Sequence, residues 1–193
     1  MITTEPKWKS LLANTVGPVF SPAQCQDIIN MGHQQKAEEA KVMDKPEGSH
    51  DVKKRITTIS WIPFQALPQM YKVIERTMHQ VNGNHFGYDG MQLTEVAQFT
   101  EYPKGGFYDW HMDAEVNCRF EPPIRKISMT ILLSPPTEFE GGDLEFMNEG
   151  NKPPQLLQGQ AIFFCSLIRH RVAKVKKGIR RSLVMWFGGP PFK

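Results

Sequence analysis

Residues 127–147 read ISMTILLSPPTEFEGGDLEFM. Ile127–Leu133 is a run of β-branched and apolar residues, the composition of a buried strand, and Pro135-Pro136 ends it because proline cannot donate to a ladder. Gly141-Gly142 then supplies a turn, and Leu144–Met147 reads as the next short strand. This strand–turn grammar continues in both directions. Leu93–Thr100, Tyr108–His111, Ala161–Cys165, His170–Val175 and Ser182–Phe187 have strand composition. Turns are expected at Pro103-Lys104-Gly105-Gly106, Pro122-Pro123 and Lys176-Lys177-Gly178. Many short strands at this spacing predict a double-sheet β core.

Upstream of Gly90 the period changes. Ser21-Pro22-Ala23-Gln24 has serine to cap, proline for the first helical position and glutamine to close a capping box. The helix should run to about Gln35, with Cys25, Ile28, Ile29 and Met31 facing inward. Arg55–Ile62 reads as a strand. Leu67, Met70, Tyr71, Ile74, Met78 and Val81 follow helical spacing, and Asn82-Gly83-Asn84 is expected to stop that helix. The fold class is therefore mainly β with supporting N-terminal helices around a jelly-roll core. Residues 1–193 are expected to form one domain, with 1–90 as helical support and substrate-side strands and 91–191 as the catalytic β core. The polar stretch Lys36 to Lys54 between these elements is a candidate lid.

Composition narrows the function classes. Hydrophobic residues make up 40% and charged residues 22%, the balance of an ordinary globular protein. No apolar run reaches membrane-span length, and MITTEPKWKSLLANTV lacks the apolar core of a secretory signal, so a cytoplasmic protein without a membrane partner is expected. Cys25, Cys118 and Cys165 form no CxxC pair and read as packing residues in a reducing compartment. Net charge is +3, yet Arg169–Arg181 (RHRVAKVKKGIRR) holds seven Lys and Arg and no acid. Such a run fits a nucleic-acid surface or the rim of a small-anion site. The lack of interleaved aromatics favours the second, and Arg181 is expected in solvent.

The chemistry-bearing segment is Tyr108-Asp109-Trp110-His111-Met112-Asp113. On a strand, residues two apart share a face, so His111 and Asp113 can grip one cation. The pair alone does not separate a metal site from two surface residues. His170 offers a third ligand. Two histidines and a carboxylate suit non-heme Fe(II) and would also accept zinc. Arg180 and Ser182 share a face of the last strand. Guanidinium and hydroxyl together fit a carboxylate.

The block Leu93 to Pro191 resembles the 2-oxoglutarate and Fe(II)-dependent dioxygenases of the prolyl-hydroxylase-like branch. The matching pieces, in order, are Tyr102-Pro103-x-Gly105, Tyr108-x-x-His111-x-Asp113, Arg125-Lys126-Ile127-Ser128, Gly141-Gly142-x-Leu144, Gly159-x-Ala161-x-Phe163-Phe164, His170-Arg171-Val172, Gly178-x-Arg180-x-Ser182-Leu183 and Trp186. The resemblance implies a double-stranded β-helix, Fe(II) on His111, Asp113 and His170, and 2-oxoglutarate on Arg180, Tyr102 and Ser182. It places Tyr108, Trp186, Arg55 and Arg125 on the substrate side. It also implies O2 as co-substrate, ascorbate as a candidate reductant, and a proline-containing peptide or protein as substrate. Alternatives are the same chemistry on a free amino acid, small metabolite or nucleobase, and a metal-stabilised β-sandwich module without turnover. The sequence carries no sign of oligomeric state.

Overall fold

The computed structural model of the chain describes residues 11–39, 55–114, 122–147 and 155–191. The candidate lid falls largely on residues 40–54 and Cys118 on residues 115–121, both outside the described residues. Fourteen strands and two α-helices are present among those described. The strands are β1 (Leu12–Asn14), β2 (Glu38–Glu39), β3 (Arg55–Ile56), β4 (Thr58–Ile62), β5 (Gln92–Leu93), β6 (Ala97–Tyr102) and β7 (Phe107–His111). They continue with β8 (Ile124–Leu132), β9 (Phe139–Gly141), β10 (Leu144–Phe146), β11 (Ala161–Cys165), β12 (His170–Val172), β13 (Val175–Gly178) and β14 (Arg180–Gly189). The helices are α1 (Pro22–Gln34) and α2 (Pro68–Val81).

The major sheet runs β1-β11-β8-β14-β6-β4-β2, with β5 added beside β14; the minor sheet runs β10-β12-β7-β3, and β13 pairs β9 separately. All pairings are antiparallel. Alternation gives the major sheet two different faces. Ile127, Met129 and Ile131 of β8, Leu183, Met185 and Phe187 of β14, and Ala97 and Phe99 of β6 pack on α1 and α2 in one apolar core. The opposite face carries Gln98, Thr100, Ser128, Thr130, Arg180 and Ser182, all buried. At one end of that face, Tyr102, Ile162 and Phe164 meet Leu144, Phe146, Val172 and Val175 of the minor sheet and its neighbouring strand in a second apolar cluster. The inward polar strip is therefore clamped between a helix-backed core and the smaller cluster.

Helix α1 starts as its sequence dictates. Ser21 Oγ accepts from the Gln24 N–H (3.3 Å), and the Ser21 N–H donates to Gln24 Oε1 (2.9 Å). Met31 packs at the edge of the core, and Gly32 takes the buried position because a Cβ there would meet the Phe99 ring at 2.4 Å. Asn82-Gly83-Asn84 does not stop α2: a π-helical turn, Asn82–Phe86, extends it to Gly87. The Asn82 amide explains the extension, since it bonds both the carbonyl (2.8 Å) and the N–H (2.9 Å) of Tyr88 and folds the chain back.

The single strand expected at Arg55–Ile62 is two strands in two sheets. β3 pairs β7 and β4 pairs β6. Between them Thr57 donates its hydroxyl to the Glu101 carbonyl (2.6 Å), pinning the crossing point. Likewise Leu93–Thr100 divides into β5 and β6, and His170–Val175 into β12 and β13.

Candidate metal and carboxylate site

His111 ends β7 and His170 begins β12, and the two residues are cross-strand partners. Asp113 lies beyond β7, so the expectation that it shares a regular strand face with His111 is corrected. Its position comes instead from the main chain of Ser166, whose carbonyl accepts the N–H groups of Asp113 (3.0 Å) and Ala114 (3.2 Å). The result still brings the three side chains together. Asp113 Oδ1 is 3.7 Å from His111 Nε2, and Oδ2 is 3.5 Å from His170 Nε2. One ligand atom from each of the three lies within 4.8 Å of the others.

Both histidines are set as donors of a lone pair at Nε2. His111 Nδ1 faces the Asp109 carbonyl at 2.7 Å and His170 Nδ1 the Ile168 carbonyl at 2.9 Å. A carbonyl can only accept, so each Nδ1 carries the proton and each Nε2 is free to ligate. Burial pushes His111 down to about 4, and His170 beside it adds to the shift, so the ring is neutral at physiological pH. Burial opposes ionisation of Asp113, but the fields of His170 and His111 and the Ser128 hydroxyl outweigh it and hold the carboxyl below its usual range. Two imidazole nitrogens and one carboxylate converging within 4.8 Å fit a divalent transition metal.

Tyr108 stacks on His111, with ring centres 3.5 Å apart and 14° between planes. Regular alternation would place residues three apart on opposite faces. The β7–β12 register pairs His170 with His111 but Val172 with Tyr108, so β7 bulges at Asp109-Trp110. Asp109 holds the bulge, its carboxylate accepting the Trp110 N–H (2.8 Å). Arg55 covers the other face of this tyrosine region, its guanidinium 4.3 Å from the Tyr108 ring centre, and donates to Gln98 (3.2 Å). Burial pushes the Tyr108 phenol up to about 12, partly countered by Arg55.

Arg125 lies 4.0 Å over the Trp186 ring, is paired through two nitrogens with Glu95, and reaches the Asp113 carbonyl at 3.4 Å. Trp61 tilts against Trp186 at 6.2 Å. The Trp186 indole nitrogen is buried without a hydrogen-bond partner of ordinary geometry, yet its N–H favours the ionised form of Asp113.

Arg180 occupies the inward polar strip, 3% exposed. It donates to Ser182 Oγ (3.2 Å), and its guanidinium sits 5.6 Å from the ring of Tyr102, its cross-strand partner. Burial pulls its pKa down, with Tyr102 and Asp143 offsetting part of the shift. Among the described residues no carboxylate forms an ion pair with it. A Cβ on Gly142 (φ +69°) would fall 2.8 Å from Arg180 Cδ, so only glycine lets the arginine lie there. Arg181 is not in solvent: it pairs with Glu101 at 2.8 Å on the other face. Arg171 and Lys177 of the basic run also have acid partners, Glu145 and Glu140.

Sequence reasoning assigned no part to Ser166, Gln98, Thr100 or Thr130, and quoted Ser128 only within a motif. The signal available was two-residue alternation of polar groups on strands otherwise apolar.

Residues 97–188 match the family profile described as the 2OG-Fe(II) oxygenase superfamily. The likeness covers β6 to most of β14, the strands that carry the site. Individual proteins show the same likeness. A PKHD-type hydroxylase of Idiomarina loihiensis is 34% identical over 99 residues, 50% of this chain and 44% of that protein. The chain spans about half the length of the curated relatives it matches. Two solved structures share the fold. The viral collagen prolyl hydroxylase of Paramecium Bursaria Chlorella virus-1, as its 2OG complex, gives a TM-score of 0.69 at 18% identity, covering 93% of this chain and 97% of that one. The prolyl hydroxylase of Trichoplax adhaerens, in complex with a hypoxia inducible factor oxygen degradation domain peptide fragment, gives 0.69 at 16%, covering 92% and 83%. Among the described residues no helix is long and apolar enough to cross a membrane.

Proposed function

We propose that this chain is a 2-oxoglutarate- and Fe(II)-dependent hydroxylase acting on peptidyl proline, with ascorbate as supporting reductant and the reducing cytoplasm as its setting. One observation carries the reading: the triad His111, Asp113 and His170 faces the inward strip of the major sheet, on which Arg180 lies buried with no ion-pairing carboxylate among the described residues. A buried cation is costly without an anionic partner. In this reading the partner is the distal carboxylate of 2-oxoglutarate, held by Arg180 with Ser182 and Tyr102. Fe(II) on the triad, with 2-oxoglutarate and O2, supplies the oxidation, yielding succinate, CO2 and one oxygen atom inserted into a substrate C–H bond.

The protein's own part is placement. The Nδ1 bonds of His111 and His170 fix ring orientation, and the apolar cluster around Phe146 and Phe164 keeps water from His170. In this reading Tyr108, Arg55, Trp186 and Arg125 border the triad on the substrate side. The aromatic faces suit an apolar pyrrolidine ring, and the arginines suit peptide carbonyls. Relatives named PKHD-type hydroxylases and the peptide-bound Trichoplax structure support a peptide substrate.

The test is mass spectrometry of proline-containing peptides incubated with the full chain, Fe(II), 2-oxoglutarate and ascorbate, with succinate measured in parallel. A +16 Da shift on proline is expected. Succinate with no modified proline peptide would overturn the proline assignment. No succinate under any condition would overturn the hydroxylase reading.

A further inference from the structure

Asp113 is held from behind as well as facing the two histidines. Ser128 Oγ donates to Asp113 Oδ2 at 2.6 Å, and Ser166 Oγ lies 2.9 Å from Ser128 Oγ. Ser128 has one hydroxyl proton. With it committed to a carboxylate that can only accept, Ser128 must accept from Ser166, so the chain of donation runs Ser166 to Ser128 to Asp113. Both serines are fully buried, and no bulk water can replace either hydroxyl. Ser166 also holds Asp113 through the main chain, and its own N–H is fixed on the Lys126 carbonyl at 3.0 Å. Lys126 and Ser128 are neighbours on β8, so the loop carrying Asp113 and the strand carrying its hydroxyl donor are locked to one residue.

We infer that Ser128, oriented by Ser166, is a positioning residue that fixes the rotation of the Asp113 carboxylate and thereby sets the affinity of the triad for a divalent metal. The inference rests on the proposed metal site and deepens it. Without this bond the carboxylate has no side-chain hydroxyl holding it and can turn about its χ2 axis, away from His111 and His170. Partners of this kind behind a ligating group change metal affinity by about 10–100-fold.

The experiment uses the full chain, stripped with chelator and titrated with Mn(II), free metal being read by electron paramagnetic resonance. Ser128→Ala is expected to weaken Mn(II) binding at least tenfold. Ser128→Thr, which keeps a hydroxyl, is expected to recover most of it. Ser166→Ala should give an intermediate loss of a few-fold, and it serves as the test should Ser128→Ala fail to fold. If Ser128→Ala folds and binds within twofold of the parent, the inference is overturned while the metal site stands. Equal weakening by Ser128→Ala and Ser128→Thr would mean packing alone, and would also overturn it. If the parent chain binds no Mn(II), the proposed function falls first and the inference with it.

Discussion

Replacing Arg180 by methionine separates the two roles that a buried arginine can have. If Arg180 is a binding group, its pair with a dicarboxylate comprises charge-assisted hydrogen bonds at a site 3% exposed. Truncating one partner of such a pair costs roughly 2–5 kcal/mol; at about 3 kcal/mol the dissociation constant for 2-oxoglutarate rises roughly 150-fold. The assay is thermal unfolding with Mn(II) present, with and without 2-oxoglutarate. At ~100 times its dissociation constant the ligand stabilises the parent by about 2.7 kcal/mol, or roughly 5–10 °C for a domain of this size. At the same concentration Arg180→Met should gain under about 1 °C. Without ligand the variant should melt no lower than the parent, because it removes a buried cation that has no ion-pair partner among the described residues. Arg180→Lys keeps the charge but not the two-pronged geometry, and should fall between them. Equal ligand shifts in parent and Arg180→Met would refute the reasoning. So would a ligand-free variant several degrees less stable, since that is the signature of a structural strut.

Three further outcomes are expected. Asp113→Ala should bind Mn(II) at least about 100-fold more weakly and form no succinate; metal binding close to the parent's would remove the triad assignment. Tyr71→Phe should lower stability by about 2–3 kcal/mol in denaturant titration, because the Tyr71 hydroxyl accepts the Ala97 N–H (2.8 Å) and donates to the Ile62 carbonyl, and both would be left unpaired in the core. Cys25, which burial pushes up to about 11, should resist alkylation at pH 8 when peptide mapping follows the reaction. Its folded pKa is raised, so the fold holds this proton more tightly than the unfolded chain does. Its contribution is complete below about pH 9 and should fall by about 1.4 kcal/mol per pH unit as pH rises towards 11.

What could be read without coordinates followed from periodicity and from side-chain chemistry. The α1 cap, the α2 stripe of Met70, Tyr71, Ile74 and Met78, and the placement of Arg180 with Ser182 all depend on residues a few positions apart. β1, β2 and β9 were not legible, because two- and three-residue strands have too little pattern; LAN gains its ladder only by lying against Phe163 and its neighbours on β11. The crossing at Thr57 was hidden for a related reason. RITTISWI is uniformly strand-like, and only the separate partners of β3 and β4 divide it. The fate of Arg181 needed Glu101, eighty residues earlier in the chain, which no local rule connects to it.

The site departs from regular strand geometry at two points, and both departures serve it. Strict alternation would turn Tyr108 away from His111, and the bulge at Asp109-Trp110 returns it to stack on the ring. A continued β7 would tie Asp113 into the minor sheet; leaving the strand lets it reach Ser128 of the major sheet and Ser166 in the turn just beyond β11 instead. The triad thus draws two ligands from the minor sheet and anchors its third on the major one, beside Trp186 and on the strand face that carries Arg180. A pair two residues apart on an ordinary strand could not span the two sheets. The His-x-Asp spacing is therefore better understood as the reach from a strand end to the opposing sheet than as two positions on one face, and Ser128 and Ser166 are the residues that make that reach stable.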